Sequence, residues 1–261
     1  MSEPTTNRVA LVTGAGRGIG RAIVLRLASD GLHVGVNDVD PTTADAVADE
    51  IRASGGTAVA VPGDVTDRKA VFGMVGSTVD ELGRLDVAVA NAGIAQVKLL
   101  RELTEADLER IFSVNVFGVV YTMQAAAEQM IEQGDGGKII SAASIAGHQG
   151  FNFLGHYSAT KFGVVALTQA AAKELAQFGI TVNAYCPGIV GTEMWDLIDA
   201  QIGAYSGAAK GETLQEYSKL ITLGRVQTPE DVAAFMSYLA GPDSDYMTGQ
   251  SVVIDGGIVM R

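Results

Sequence analysis

The chain has 261 residues and carries 18 Lys and Arg against 30 Asp and Glu, a formal net charge of −12. That length is enough for one large α/β domain with a substantial core, and a single domain over residues 1–261 is expected. The acidic balance argues against nucleic-acid or anionic-membrane partners, which need a basic face, and no apolar run approaches the ~20 residues of a membrane helix. The one cysteine, Cys186, allows no internal disulfide. It suits a reducing cytoplasm and reads as a small residue packed before Pro187. The first eight residues hold no apolar signal core, so a cytoplasmic location is expected.

In chain order, Val9 to Val12 is a short apolar run that reads as a buried strand. It leads into Thr13-Gly14-Ala15-Gly16-Arg17-Gly18-Ile19-Gly20, and a helical pattern with Ile23 and Leu27 follows. That pattern stops at Asp30-Gly31, where glycine suits the left-handed position after a helix. A strand, a glycine-rich turn and a helix together build an anion site, because the bare N–H groups and the positive end of the helix dipole face the same point. The glycines do not follow G-x-G-x-x-G. They fall as G-x-x-x-G-x-G at Gly14, Gly18 and Gly20, with Gly16 additional.

A second strand over 33–37 ends at Asp38, about twenty residues beyond the glycine turn, where an acid can bind the ribose hydroxyls of an adenosine. The same carboxylate would repel a 2′-phosphate, which favours NAD over NADP. Arg17 pulls the other way, since a guanidinium in the glycine loop can pair with that phosphate. Asp38 also reads as a turn residue ahead of Asp40-Pro41, a helix cap followed by a first-turn proline. Further strands are expected near 57–61, 86–90, 138–143, 181–185 and 251–254, with helices between them. Thr104 with Asp107 has the spacing of a capping box, and Thr228-Pro229-Glu230-Asp231 combines a cap, a first-turn proline and two acids. Alternation of this kind predicts a doubly wound parallel sheet of about seven strands, covered by helices on both faces. Gly14, Asp38, Asp64, Asn91, Ser144 and Pro187 then fall at carboxyl ends of strands, where such sheets bind ligands.

Tyr157 and Lys161 lie four residues apart, with Ser144 thirteen positions upstream. On a helix this spacing puts phenol and ammonium on one face. The ammonium is expected to pull the phenol below its free pKa of about 10 and ready it for proton exchange with a substrate oxygen.

T-G-x-x-x-G-I-G, Asn91-Ala92-Gly93, Ser144, Tyr157 and Lys161 together, from about Arg8 to Gly257, resemble the classical short-chain dehydrogenase/reductase family. The resemblance implies that Asn115 is a fourth catalytic member, holding a water that links Lys161 to solvent. It also implies that Asp64-Val65 lies beside the adenine, and that Asn91, Ala92 and Gly93 line the cofactor cleft. Ile19 belongs to the glycine turn, and Pro187 and Gly188, with Val190 and Thr192 beyond, border the nicotinamide. Tyr157 and Lys161 would touch the cofactor as well as the substrate. A homotetramer built on the helices after Asp107 and Tyr157 is implied too. Ala90 stands where many members carry a second asparagine.

The segment 192–222 falls where this family carries its substrate lid, and Met194 and Trp195 would wall a small pocket. Ile180 to Val190, Met194-Trp195 and Ser244 to Gln250 look very like the diacetyl/acetoin reductases, also called 2,3-butanediol dehydrogenases. That likeness implies a small neutral ketone or alcohol substrate. Ile145 and Phe151 resemble the (S)-acetoin-forming members, with an apolar wall that sorts methyl from hydroxyl. His148 and His156 flank the expected site as polar lining, and without an acid or cysteine at ligand spacing no metal is expected. A sugar-alcohol dehydrogenase, a 3-oxoacyl reductase, or a non-catalytic NAD-binding sensor are the alternatives that the catalytic motif leaves open.

Overall fold

The apolar runs form one seven-stranded, wholly parallel sheet in the computed structural model, which describes residues 8–260. The strands are β1 (Val9–Val12), β2 (His33–Val36), β3 (Ala58–Ala60), β4 (Val87–Ala90), β5 (Gly137–Ala142), β6 (Ile180–Pro187) and β7 (Ser251–Ile254). All seven lie within one or two residues of their expected positions. Their spatial order is β3-β2-β1-β4-β5-β6-β7, so the winding reverses between β1 and β4. A crevice opens at the carboxyl ends of strands where such a sheet reverses.

Side chains alternate across a strand, and a parallel sheet is covered on both faces, so its strands read as unbroken apolar runs. In β1, Ala10 and Val12 join one core cluster while Leu11 joins the other. The first cluster takes Ile23 and Leu27 from α1 (Gly18–Ser29), Val47 and Ile51 from α2 (Pro41–Ala53), and Val232 and Met236 from α9 (Pro229–Ala240). The second takes Val71 and Met74 from α3 (Arg68–Leu82), Met130 from α5 (Gly118–Gln133) and Val164 from α6 (Gly155–Leu175). Each fully buried Leu or Ile here contributes roughly 1.5–3 kcal/mol.

The helix starts follow the local sequence. Asp40 caps α2 by accepting from the Thr42 amide at 2.9 Å, and Asp67 caps α3. Thr104 opens α4 (Glu105–Phe112) and Thr228 opens α9, each through a complete capping box. Gly31, at φ +91°, ends α1 as expected. Between α4 and α5, Ser113–Phe117 forms a π-helical turn, a local widening common at functional sites. Two helices, α7 (Glu193–Ser206) and α8 (Glu212–Ser218), occupy most of the segment expected to act as a lid. Ile198 and Ile202 of α7 pack on Ala95 and Val97 after β4, with Tyr157, Met194, Trp195 and Tyr217 against them. This third apolar cluster sets α7 across the open end of the sheet.

Candidate active site

The glycine turn after β1 is shaped by close approach. Gly14 has φ +62°, a left-handed backbone that disfavours any other residue. Asn91, at the end of β4, braces the turn: its Nδ2 donates to the carbonyls of Thr13 at 2.7 Å and Gly14 at 3.0 Å. The fully buried Tyr185 on β6 donates its hydroxyl to Asn91 Oδ1 at 2.8 Å. Asp38 is buried, and its Oδ2 accepts from the Gly16 amide at 3.0 Å. A methyl group on Gly16 would lie 2.8 Å from that same oxygen. Gly16, additional in the glycine spacing, is therefore the residue that lets the turn close onto Asp38.

Whereas α2, α3, α4 and α9 have side-chain caps, α1 and α7 have none. These two starts meet: a methyl group on Gly18 would lie 3.6 Å from Thr192 Cγ2. Two helix N-termini with unspent N–H groups on one crevice are the donor set that a pyrophosphate needs. With Asp38 at the neighbouring strand end, the residues present fit a dinucleotide. Arg17 is not a free guanidinium beside Asp38, as the sequence alone suggested. Its Nη1 pairs with Glu193 Oε2 at 2.9 Å, on the first turn of α7.

At the other end of the crevice, β5 runs out at Ala142 and Ser144 caps a short 3₁₀ turn, accepting from the Ala146 amide at 3.1 Å. The Ser144 hydroxyl lies near enough to the Tyr157 phenol to lower its pKa. Tyr157 and Lys161 lie on α6 as their spacing required, and Lys161 Nζ stands 5.6 Å from the centre of the Tyr157 ring. The expected consequence does not follow. Burial pushes Tyr157 up to about 12, against the lowering effect of Ser144. Burial also brings Lys161 down to about 8. The ammonium donates to the Ala142 carbonyl at 2.7 Å, and desolvation is the largest influence on both groups.

Asn115 sits fully buried in the π-helical turn, behind the crevice rather than in its lining. Its Oδ1 accepts from the Ile94 amide at 2.9 Å, and its Nδ2 donates to the Ile94 carbonyl at 2.9 Å and to Thr160 Oγ1 at 3.2 Å. Thr160 in turn donates to the Tyr157 carbonyl at 2.6 Å. The Asn115 side chain thus fastens the Gly93-Ile94 segment to α6. Little of it remains to hold a water.

Gly14 and Arg17 to Gly20 of the glycine turn, Asp38, Asp64-Val65, Asn91 to Gly93, Ser144, Tyr157, Lys161 and Pro187 to Thr192 all line one crevice of about 1140 Å³. Ile145, Phe151, Met194 and Trp195 line its catalytic end. The short chain dehydrogenase family model matches residues 8–203. The chain belongs to the short-chain dehydrogenase family. Membership implies a nicotinamide cofactor, which this crevice fits. L-2,3-butanediol dehydrogenase of Corynebacterium glutamicum is 50% identical over 256 residues, covering 97% of this chain and 99% of the relative. Diacetyl reductase [(S)-acetoin forming] of Staphylococcus epidermidis is 46% identical over 256 residues, covering 98% of this chain and 100% of the relative. Among solved structures, a short-chain type dehydrogenase/reductase from Mycobacterium marinum superposes with a TM-score of 0.89 at 39% identity, over 98% of this chain and 97% of that one.

Several residues of this short-chain dehydrogenase escaped sequence reasoning. Leu214, Tyr217 and Leu220 also line the crevice from the α8 side, and Ile258 reaches it from beyond β7. The spacing of the first three is an apolar helical stripe that could have been read, whereas nothing local marks Ile258. Thr160 braces the site from behind and Tyr185 from its wall, and nothing in their local sequence marks those roles. The two histidines expected to flank the pocket do not line it. His148 Nε2 lies 3.3 Å from the buried Cys186 Sγ, and His156 Nε2 lies 3.2 Å from Gln96 Oε1. Among the described residues no cluster of three or more metal-ligating side chains occurs.

Proposed function

We propose that this enzyme transfers hydride between NAD(H) and small neutral vicinal ketones and alcohols. It would reduce diacetyl and acetoin and oxidise 2,3-butanediol in reverse. The observation that carries this reading is the apolar wall of Ile145, Phe151, Met194 and Trp195 beside the Ser144–Tyr157 pair, with Glu193 and Asp196 at the rim. An apolar wall with acids around it suits a neutral dicarbonyl. It disfavours a 2-keto acid, whose carboxylate would lose water against that wall. The names of the relatives support the same substrates, including an (S)-acetoin product.

The residues divide the work. Asp38 would accept hydrogen bonds from the adenosine ribose, the starts of α1 and α7 would hold the pyrophosphate, and Pro187 to Thr192 would border the nicotinamide. When bound, the nicotinamide supplies or accepts the hydride. In reduction, Tyr157 gives its phenolic proton to the substrate oxygen while Ser144 donates a hydrogen bond to that oxygen, fixing it for attack. Burial keeps the phenol protonated at neutral pH, which suits a donor. Lys161 would position the nicotinamide ribose and connect Tyr157 to the proton supply. Asn115 serves chiefly by holding Ile94 and Thr160 in place.

We also place this domain in the cytoplasm as a homotetramer. Leu108, Phe117 and Phe162 are exposed on the helices α4 to α6, around an apolar groove lined by Phe112 and Phe117, and that face suits a second copy. The test of function is an NADH-linked comparison of diacetyl, acetoin, pyruvate and an acetoacetyl thioester, with product chirality determined. Diacetyl should lead. A thioester ahead by tenfold or more in kcat/KM would make the chain a ketoacyl reductase.

A further inference from the structure

Three Lys or Arg side chains line the crevice among the described residues: Arg17, Arg110 and Lys161. Lys161 is committed to the catalytic end through Ala142. Arg17 adjoins Gly16, whose amide binds Asp38, so it is the cation that a phosphate on the adenosine ribose would meet. It is not free to do so. Glu193, 176 positions along the chain, accepts from its Nη1 at 2.9 Å. Both side chains are more than 70% exposed, so this pair adds little to fold stability. Its position matters more than its strength. It joins the glycine turn to the first turn of α7 where two helix starts without side-chain caps abut.

We propose that Glu193 is a cofactor-specificity residue, one that occupies Arg17 and so denies a cationic partner to a 2′-phosphate. This deepens the NAD reading above and rests on it. Asp38 then rejects the 2′-phosphate by repulsion, and Glu193 rejects it by removing the compensating charge. The two act on different groups, so the effect of Glu193 emerges fully once the repulsion is gone. A phosphate that recruits Arg17 must compete with the Glu193 carboxylate for the guanidinium charge. An exposed ion pair is worth about 0.2–1 kcal/mol, which at ~1.4 kcal/mol per tenfold corresponds to roughly a 1.4- to fivefold change.

The experiment is a mutant cycle in an Asp38→Ser background, with Arg17→Gln and Glu193→Gln introduced singly and together. The readout is the NADPH-to-NADH ratio of kcat/KM, with cofactor affinity measured by fluorescence. Glu193→Gln should raise the ratio by up to about fivefold while Arg17 is present, and should leave it essentially unmoved in the Arg17→Gln partner. A ratio that does not respond to Glu193→Gln, or that responds equally without Arg17, overturns the proposal. Preference for NADPH by the unmutated enzyme is a separate outcome. It would refute the NAD reading, while the cycle would still report whether Glu193 acts through Arg17.

Discussion

Tyr157 should ionise late in the cofactor-free protein. Burial raises its phenol from 10.0 to about 12, a shift that corresponds to roughly 3 kcal/mol in favour of the protonated form. Lys161 does not reverse this. It is buried, comes down to about 8 and spends a hydrogen bond on Ala142, so it has lost its proton before the phenol begins to ionise. At pH 8 about one molecule in ten thousand would then hold a Tyr157 phenolate. Ultraviolet difference titration of the wild type against Tyr157→Phe isolates this one group. The difference should show no phenolate step below pH 10. The kinetic counterpart has opposite signs in the two directions. Reduction of diacetyl, which needs the phenol, should be flat in kcat/KM between pH 6 and 8, whereas diol oxidation, which needs the phenolate, should climb about tenfold per pH unit. The positive charge of an oxidised nicotinamide lowers the phenol, so the oxidation limb should bend over well before pH 12. A Tyr157-dependent step below pH 9 without cofactor would mean that the lysine charge outweighs burial, and the reasoning would fail.

Two further substitutions probe the scaffold. Tyr185→Phe removes the hydroxyl that donates to Asn91 Oδ1, a loss of about 1–3 kcal/mol; calorimetry should show a lower Tm, and NADH should bind more weakly because Asn91 braces the glycine turn, so unchanged values of both would remove Tyr185 from the site's support. Asp199, on α7, accepts from the amides of Gly211 at 2.6 Å and Leu214 at 2.9 Å and so pins α8 to α7. Asp199→Ala should raise KM for diacetyl several-fold with the cofactor constants little affected. These bonds hold the Asp199 carboxyl below its ordinary range, so the pin should persist until pH falls below that range, and equal damage to cofactor and substrate constants would argue against a local role.

Much of this enzyme is legible along the chain because its determinants are short-range. A buried parallel strand is an unbroken apolar run, a cap sits three residues from its partner, and Tyr157 and Lys161 share a helix face by spacing alone; all of these lie where the sequence put them. Strand ends then carry Asp38 and Ser144 to one crevice without further information. What stayed hidden depends on groups distant in sequence. Gly16 needs a reason that Asp38 and Thr43, brought against it by the fold, supply. Arg17 looks free until α7 returns with Glu193, and Asn115 looks like a water holder until Ile94 and Thr160 are found on both ends of its amide. The pKa inversion at Tyr157 has the same origin. Spacing reveals that a charge is near, but the cost of burial depends on everything packed around the pair, and here that cost is the larger of the two. Burial thereby keeps the Tyr157 phenol protonated in the cofactor-free protein, and the positive charge of an oxidised nicotinamide would act against it.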